Sequence, residues 1–300
     1  MSSKEPQIAD SLPTGVEVRP LGPGEIQVKI PAGMVLQTPL NLRIPLSTGG
    51  STRIVVLVGK GASATMVEQW DEATAGEHRH VTDITLEDEA KFSYVSIQAL
   101  SAGVTLHHEQ RAQLEAGSYM HWCNAVLGSA KTEHSLVSTL VGHDARSDVD
   151  WLFYAKDKED HSLNARNVFE APNGTGEMLM QGVAEDQAKV SAKGMIAIGG
   201  KGNGTDTYLT QSVLMLDPTA KIDAVPGLEI KTNDVKASHS ATVARVTPED
   251  LFYFASRGIE KAEARHLFVR GFLADVAERF PAGKEIVEVL IDAKYASIAR

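Results

Sequence analysis

The chain has 300 residues, 43% of them hydrophobic and 23% charged, with a formal net charge of -10. That length buries one large core or two modest ones, and the acidic balance argues against non-specific nucleic-acid binding and against docking on an anionic membrane. No apolar run reaches the roughly 18–20 residues of a bilayer span, and a single cysteine, Cys123, excludes an intrachain disulfide framework or a four-thiolate cage and fits a reducing cytoplasm.

The first residues, MSSKEPQIADSLP, carry no apolar signal-peptide core, and residues 1–14 read as a flexible lead-in. From Gly15 to Val58 the pattern is short and strand-like: VEVRP, IQVKIP, LRIPL and RIVVLVG. Ile26, Val28 and Ile30 alternate with polar residues, the period of a strand with one buried face. Thr48-Gly49-Gly50-Ser51 reads as a turn. The same grammar continues from Ala64 to Leu127 and from Lys131 to Asp223. Steps of a polar residue followed by alanine recur at irregular spacing, at Glu89-Ala90, Asp144-Ala145, Gln187-Ala188 and Thr219-Ala220. Many short strands with almost no helix point to a sandwich, a barrel or a parallel β-helix, and periodicity does not choose among them.

After Val246 the period changes. Thr247 can cap a helix that opens with Pro248, Glu249 and Asp250 and should stop at Gly258. A second helix is predicted from Glu260 to Phe280, with Ala264, Leu267, Phe268, Phe272 and Val276 on one face. Burying each large member of that stripe contributes roughly 1.5–3 kcal/mol, so it needs a core or a partner. Pro281 and Gly283 break it, and a third helix is predicted to Ile298. The organisation expected is a β core over 15–246 and a helical appendage over 247–300.

Several residues qualify as chemistry-bearing candidates. His239 shares a strand face with Val235, Ala237, Ala241 and Val243, where it can be a metal ligand or a hydrogen-bonded core residue. His78 and His80, two apart, share a face if extended; they read first as a solvated loop or edge strand, and second as the metal pair of a cupin-like metal-dependent β-barrel enzyme, to which His121 and Asn124 add a forced match. His107 and His108 point to opposite faces and read as surface. Gly194, Gly199, Gly200 and Lys201 do not have the spacing of a phosphate loop, and a strand follows them. Cys123 reads as a buried small hydrophobe rather than a nucleophile.

Several stretches resemble, in order, the SufB/SufD family of iron–sulfur cluster assembly proteins. Asp83-Ile84-Thr85-Leu86, Tyr94-Val95-Ser96-Ile97-Gln98, Arg111-Ala112 with Gly117, and Gly128-Ser129-Ala130-Lys131 are similar to its early core segments. Gly182-Val183 to Gly194 and Val213 to Leu216 are similar to later ones. The most specific stretches are Pro226-Gly227-Leu228-Glu229-Ile230, the ASHSAT run around His239, and Leu251-Phe252-Tyr253 with Ser256-Arg257-Gly258. The resemblance implies a right-handed parallel β-helix followed by C-terminal helices, and a cytoplasmic, non-catalytic scaffold. It implies a dimer through the β-helix, with a SufB-like subunit or with itself. It also implies docking of a SufC-type ABC ATPase through Phe252, Tyr253, Arg257, Gly258, Leu267, Phe268 and Phe272. His239 looks like the cluster-ligand histidine of SufD. The SufB cysteine and glutamate fall, by offset, at Gln211 and Ser240, so neither ligand type is present and the chain is SufD-like at this site. Lys131 resembles a lysine of the SufB core tunnel. No tightly bound cofactor is expected, only a transient iron–sulfur cluster in the complex. The large N-terminal helical region of typical members is lacking, which reads as a compact member.

Overall fold

A computed structural model of the chain describes residues 6–8, 12–45, 49–70 and 75–296. They form a parallel β-solenoid of about 8 turns followed by three helices. The strands divide between two nine-stranded sheets. The first holds β1 (Gln7–Ile8), β4 (Leu40–Ile44), β6 (Ser63–Trp70), β8 (Lys91–Gln98), β10 (Tyr119–Val126), β12 (Arg146–Ala155), β14 (Thr175–Ala184), β16 (Thr205–Met215) and β18 (Val235–Arg245). The second holds β2 (Glu17–Gly22), β3 (Glu25–Ile30), β5 (Ser51–Val58), β7 (Gly76–Leu86), β9 (Val104–Leu114), β11 (Lys131–Leu140), β13 (Asp160–Phe169), β15 (Lys189–Ile198) and β17 (Lys221–Ile230).

Because successive rungs pair in parallel and in register, like residues stack into columns. One apolar column of the second sheet runs Ile30, Val58, Leu86, Leu114, Leu140, Phe169, Ile198 and Ile230, buried except for the last. Each buried member removes enough apolar surface from water to contribute roughly 1.5–3 kcal/mol, and the next rung completes the cover.

The corners between second-sheet and first-sheet strands form another column. Gly61, Glu89, Gly117, Asp144, Asn173 and Gly204 all have positive φ, between 57° and 76°. Each donates its N–H to a carbonyl of the following corner, for example Glu89 to Ala116 at 2.8 Å and Gly117 to His143 at 2.9 Å. The alanine after the polar residue is buried at Ala90 and Ala145. Gln187-Ala188 and Thr219-Ala220 sit at the opposite corner, between first-sheet and second-sheet strands. The irregular spacing of these steps in the sequence therefore comes from two interleaved corner columns.

The two ends of the solenoid differ. At the start, β1 pairs antiparallel with β4 and β2 pairs antiparallel with β3, which covers both first edges. Part of the expected lead-in is thus a short strand; residues 1–5 and 9–11 lie outside the described residues, as does Thr48 of the expected turn. At the other end β17 pairs only with β15 and β18 only with β16, leaving two unpaired edges among the described residues.

The helices are α1 (Pro248–Ala255), α2 (Lys261–Ala277) and α3 (Lys284–Ala296). Thr247 caps α1, with Asp250 completing the capping box and Pro248 in the first turn. Val269, Leu273, Val276, Ala277, Val287 and Ile291 pack on the outer face of the first sheet, against Val95, Cys123, Ala125, Leu152 and Val183 among others. This cover explains why β12 is buried at nearly every position, whereas β13, with its outer face in solvent, alternates. Polar clamps fix the helices: Arg265 reaches Asp217 at 2.9 Å and Glu185 at 3.2 Å, and Lys294 reaches Glu159 at 2.6 Å. The predicted α2 stripe needs a correction. Ala264 and Val276 are buried as expected, but the buried face is centred on Val269 and Leu273, while Leu267 is exposed and Phe268 and Phe272 are half-buried at the margin. The broad sheet surface takes the shorter aliphatic side chains, and Phe268 turns instead to Phe254 of α1, their ring centroids 5.3 Å apart.

Candidate functional site

His239 lies on β18 as the register partner of Leu209. Leu209 faces the interior and is buried, so in-register pairing points His239 the same way. The column it ends runs Met66, Tyr94, Trp122, Val149, Met178, Leu209, His239. Among the described residues no further rung covers His239, and it is exposed. Ala241 pairs with Gln211, one rung in. Gln211 is buried and donates through Nε2 to the Ala192 carbonyl at 3.1 Å. Ser240 pairs with Thr210 and, next to His239 on the strand, takes the opposite face. The open rung therefore offers an imidazole and no thiolate.

The otherwise apolar interior of the first turns holds one polar cluster. Thr52, His80, His108 and His134 are register partners on β5, β7, β9 and β11 and are all buried. Glu68, from β6, is fully buried opposite them. Its Oε1 accepts from Ser96 Oγ at 2.7 Å, and its Oε2 accepts from the Tyr94 hydroxyl and lies 3.0 Å from His80 Nε2. Thr52 Oγ1 lies 2.7 Å from His80 Nδ1. Burial alone would raise the Glu68 carboxyl, but the His80 charge and hydrogen bond, with His108 and the Tyr94 bond, bring it down to about 2. Burial lowers His108 well below the usual imidazole value, and burial together with His80 brings His134 to about 3, so both stay neutral. His108 and His134 stack with centroids 4.0 Å apart, and His134 Nε2 lies 3.0 Å from Gln110 Oε1. The space among Ser96, His108, Asn124 and His134 is too tight to admit a water molecule.

These placements correct several expectations. His78 and His80 are on a central strand with both side chains buried, not on a solvated loop or edge. His121 faces outward and Asn124 inward, so these two do not join His78 and His80 in one ligand set; His80 groups instead with Glu68 and His108, their donor atoms within 4.8 Å of one another, and the fold is a solenoid rather than a closed barrel. His107 is on the outside with Glu77 and Glu133, as its surface reading had it, but His108 is interior. Lys131 does not line the interior: its ammonium is on the outer face, 2.5 Å from Glu133. Gly199 to Gly202 make the turn between β15 and β16, and a strand follows. Cys123 is buried, as expected. Glu68 was missed. The signal was present, since Glu68 shares strand parity with the apolar Ala64, Met66 and Trp70.

Of the residues expected to meet an ATPase, Phe252 is 74% exposed and Tyr253 58%. The Arg257 guanidinium stands 5.2 Å above the Tyr253 ring, and Gly258, with φ 80°, turns the chain out of α1. Phe272 packs at the margin of the protein's own core, and Phe268 packs both there and on Phe254. Among the described residues no helix is long and apolar enough to cross a membrane.

Residues 45–272 match the family model described as SUF system FeS cluster assembly, SufBD core domain. The chain belongs to the SufBD family. Among curated SufBD relatives, an iron-sulfur cluster assembly SufBD family protein of Mycobacterium tuberculosis is 28% identical over 204 residues, covering 68% of this chain and 24% of the relative. Counterparts in Staphylococcus saprophyticus and Staphylococcus haemolyticus are 26% and 25% identical over 260 residues, covering 85% of this chain and 56% of each relative. The chain thus spans between about a quarter and just over half the length of these relatives. The SufBD match starts close to the end of β4 and ends within α2, so it takes in the polar interior, the open rung and the first helix.

Proposed function

We propose that this SufBD protein is a non-catalytic, cytoplasmic scaffold subunit of a SUF-type iron–sulfur cluster assembly complex. The observation that carries the reading is the asymmetric solenoid of a SufBD chain: antiparallel strands cover the first edges, while among the described residues β17 and β18 leave the last rung unpaired. Unpaired edges with exposed Val225, Ile230 and Val243 are suited to addition of strands from a second subunit. His239 would stand at that junction as one ligand of a transient cluster. Two copies of this chain would bring two imidazoles and no thiolate, whereas iron–sulfur clusters are held by thiolates. That favours a SufB-like subunit as the mate whenever a cluster is held. The exposed aromatic face of α1, with Arg257, is the proposed seat of a SufC-type ABC ATPase, which would supply the ATP chemistry. Native mass measurement of the complex purified through this chain tests the reading. A mass that includes an ATPase subunit and a second SufBD chain supports it; a lone chain in the presence of both candidate partners refutes it.

A further inference from the structure

On the outer face of the first sheet, away from the polar interior and the open rung, three different donor atoms converge. His121 and Cys123 are two positions apart on β10 and so share its outward side. Asp150, on β12, is the register partner of Cys123. His121 Nε2 lies 2.7 Å from Asp150 Oδ2 and 3.4 Å from Cys123 Sγ, and the three donor atoms all lie within 4.8 Å of one another. Cys123 and Asp150 are buried, and the His121 side chain keeps 13% exposure. Arg279, just beyond α2, holds the other carboxylate oxygen, Oδ1, at 3.1 Å.

This is not the arrangement of a nucleophile relay. In a relay the imidazole takes the nucleophile's proton at one ring nitrogen while a carboxylate holds the N–H of the other. Here thiol and carboxylate meet the same nitrogen, which carries at most one proton. The convergence on one point is instead that of ligands around an ion.

We propose that His121, Cys123 and Asp150 form a binding site for a divalent transition metal ion of the zinc and ferrous class, with the remaining coordination position open toward solvent beside His121. Imidazole, thiolate and carboxylate together suit such borderline ions, and three protein ligands with one open position mark an exchangeable rather than a structural site. Arg279 acts in the outer sphere, orienting Asp150 through the oxygen that does not bind the metal. Burial, then Asp150 and Asp148, push the Cys123 thiol up, so it is protonated without a cation. On ligation its proton leaves to solvent and the thiolate stays on the metal. The imidazole and carboxylate then part from 2.7 Å to the ~3.3 Å of two light-atom ligands on one tetrahedral ion. The site is independent of the assembly role proposed above, because its ligands are neither His239 nor the edges of the last rung.

The test is titration of the purified chain with Co2+ under anaerobic conditions, followed by competition with Zn2+. The expected result is one equivalent of Co2+ with visible bands of a four-coordinate ion and a near-ultraviolet thiolate charge-transfer band, both abolished by Zn2+. Cys123→Ser should lose the charge-transfer band. Asp150→Asn should weaken binding by at least about tenfold, and Glu68→Gln, in the interior, should leave the spectrum unchanged. If Cys123→Ser does not fold, His121→Gln, at a partly exposed position, carries the same test: lost binding supports the site and unchanged binding overturns it. No Co2+ spectrum in the wild-type chain, or a charge-transfer band that survives Cys123→Ser, also overturns it.

Discussion

Leu209 and His239 are register partners on adjacent parallel strands, so their side chains project to the same side of the first sheet, yet Leu209 is fully buried and His239 is exposed. The difference is the presence of a further rung on one side of Leu209 and its absence beyond His239. Stability and function should separate along that pair. Leu209→Ala leaves a cavity in the column and should cost about 2–5 kcal/mol in denaturant unfolding. His239→Ala should stay within about 0.5 kcal/mol of wild type, while abolishing cluster assembly in a reconstituted system with all partners. Full assembly by His239→Ala would remove the histidine from the proposed role.

The interior network should make the protein acid-sensitive in two separable steps. Glu68 titrates at about 2 in the folded chain against a usual 4.5. A carboxyl lowered on folding stabilises above its unfolded value, and that contribution, about 3 kcal/mol, is lost as the pH falls from 4.5 toward 2. His134, at about 3 against 6.5, is held neutral, so its contribution is present above pH 6.5 and lost as the pH falls toward 3. Urea unfolding across this range should show His134→Gln flattening the upper part of the loss and Glu68→Gln the lower part. Parallel stability profiles for wild type and both variants would contradict the assignment.

At neutral pH, His80→Ala leaves the Glu68 carboxylate buried without its imidazole partner. Breaking a buried pair from one side should cost about 3–5 kcal/mol, measured as a lower denaturation midpoint. A cost near that of a surface substitution would show that the Tyr94 and Ser96 hydroxyls alone support the charge.

The corner column offers a stabilising change. Glu89 occupies a left-handed position, φ 60°, between Gly61 and Gly117 of the neighbouring rungs. A side chain pays about 1–2 kcal/mol there, offset by the 0.5–1 kcal/mol that glycine loses in chain entropy. Glu89→Gly should therefore raise stability by up to about 1.5 kcal/mol, read as a higher unfolding midpoint.

Docking of the ATPase should depend on α1 rather than on the α2 core face. Arg257→Glu combined with Phe252→Ala changes two exposed side chains and should leave thermal unfolding nearly unmoved, while co-purification of a SufC-type ATPase is lost. Undiminished co-purification would exclude this face.

The strands of this chain were legible because period-2 alternation survives wherever one sheet face is in solvent, as at Ile26, Val28 and Ile30. The repeat was not, since its length changes: 28 residues separate Leu86 from Leu114, but 26 separate Leu114 from Leu140 and 29 separate Leu140 from Phe169. The α1 cap was equally plain, as Thr247 and Pro248 act through their immediate neighbours. The α2 stripe was read correctly at Ala264 and Val276 but missed Val269 and Leu273, because the sheet that receives it is assembled from distant strands.

By itself, then, the sequence determined the local terms: short strands, polar-then-small corners, a late switch to helix, and the family-like stretches around His239 and Arg257. Only the tertiary structure decided what stands next to what. It buried His80 against Glu68, turned Lys131 outward, left His239 on an uncovered rung and brought Asp150 beside Cys123. The reason is physical: alternation sets which residues share a face, but solvent exposure and charge pairing depend on which rung lies above and below, and that is fixed only when the rungs stack in register.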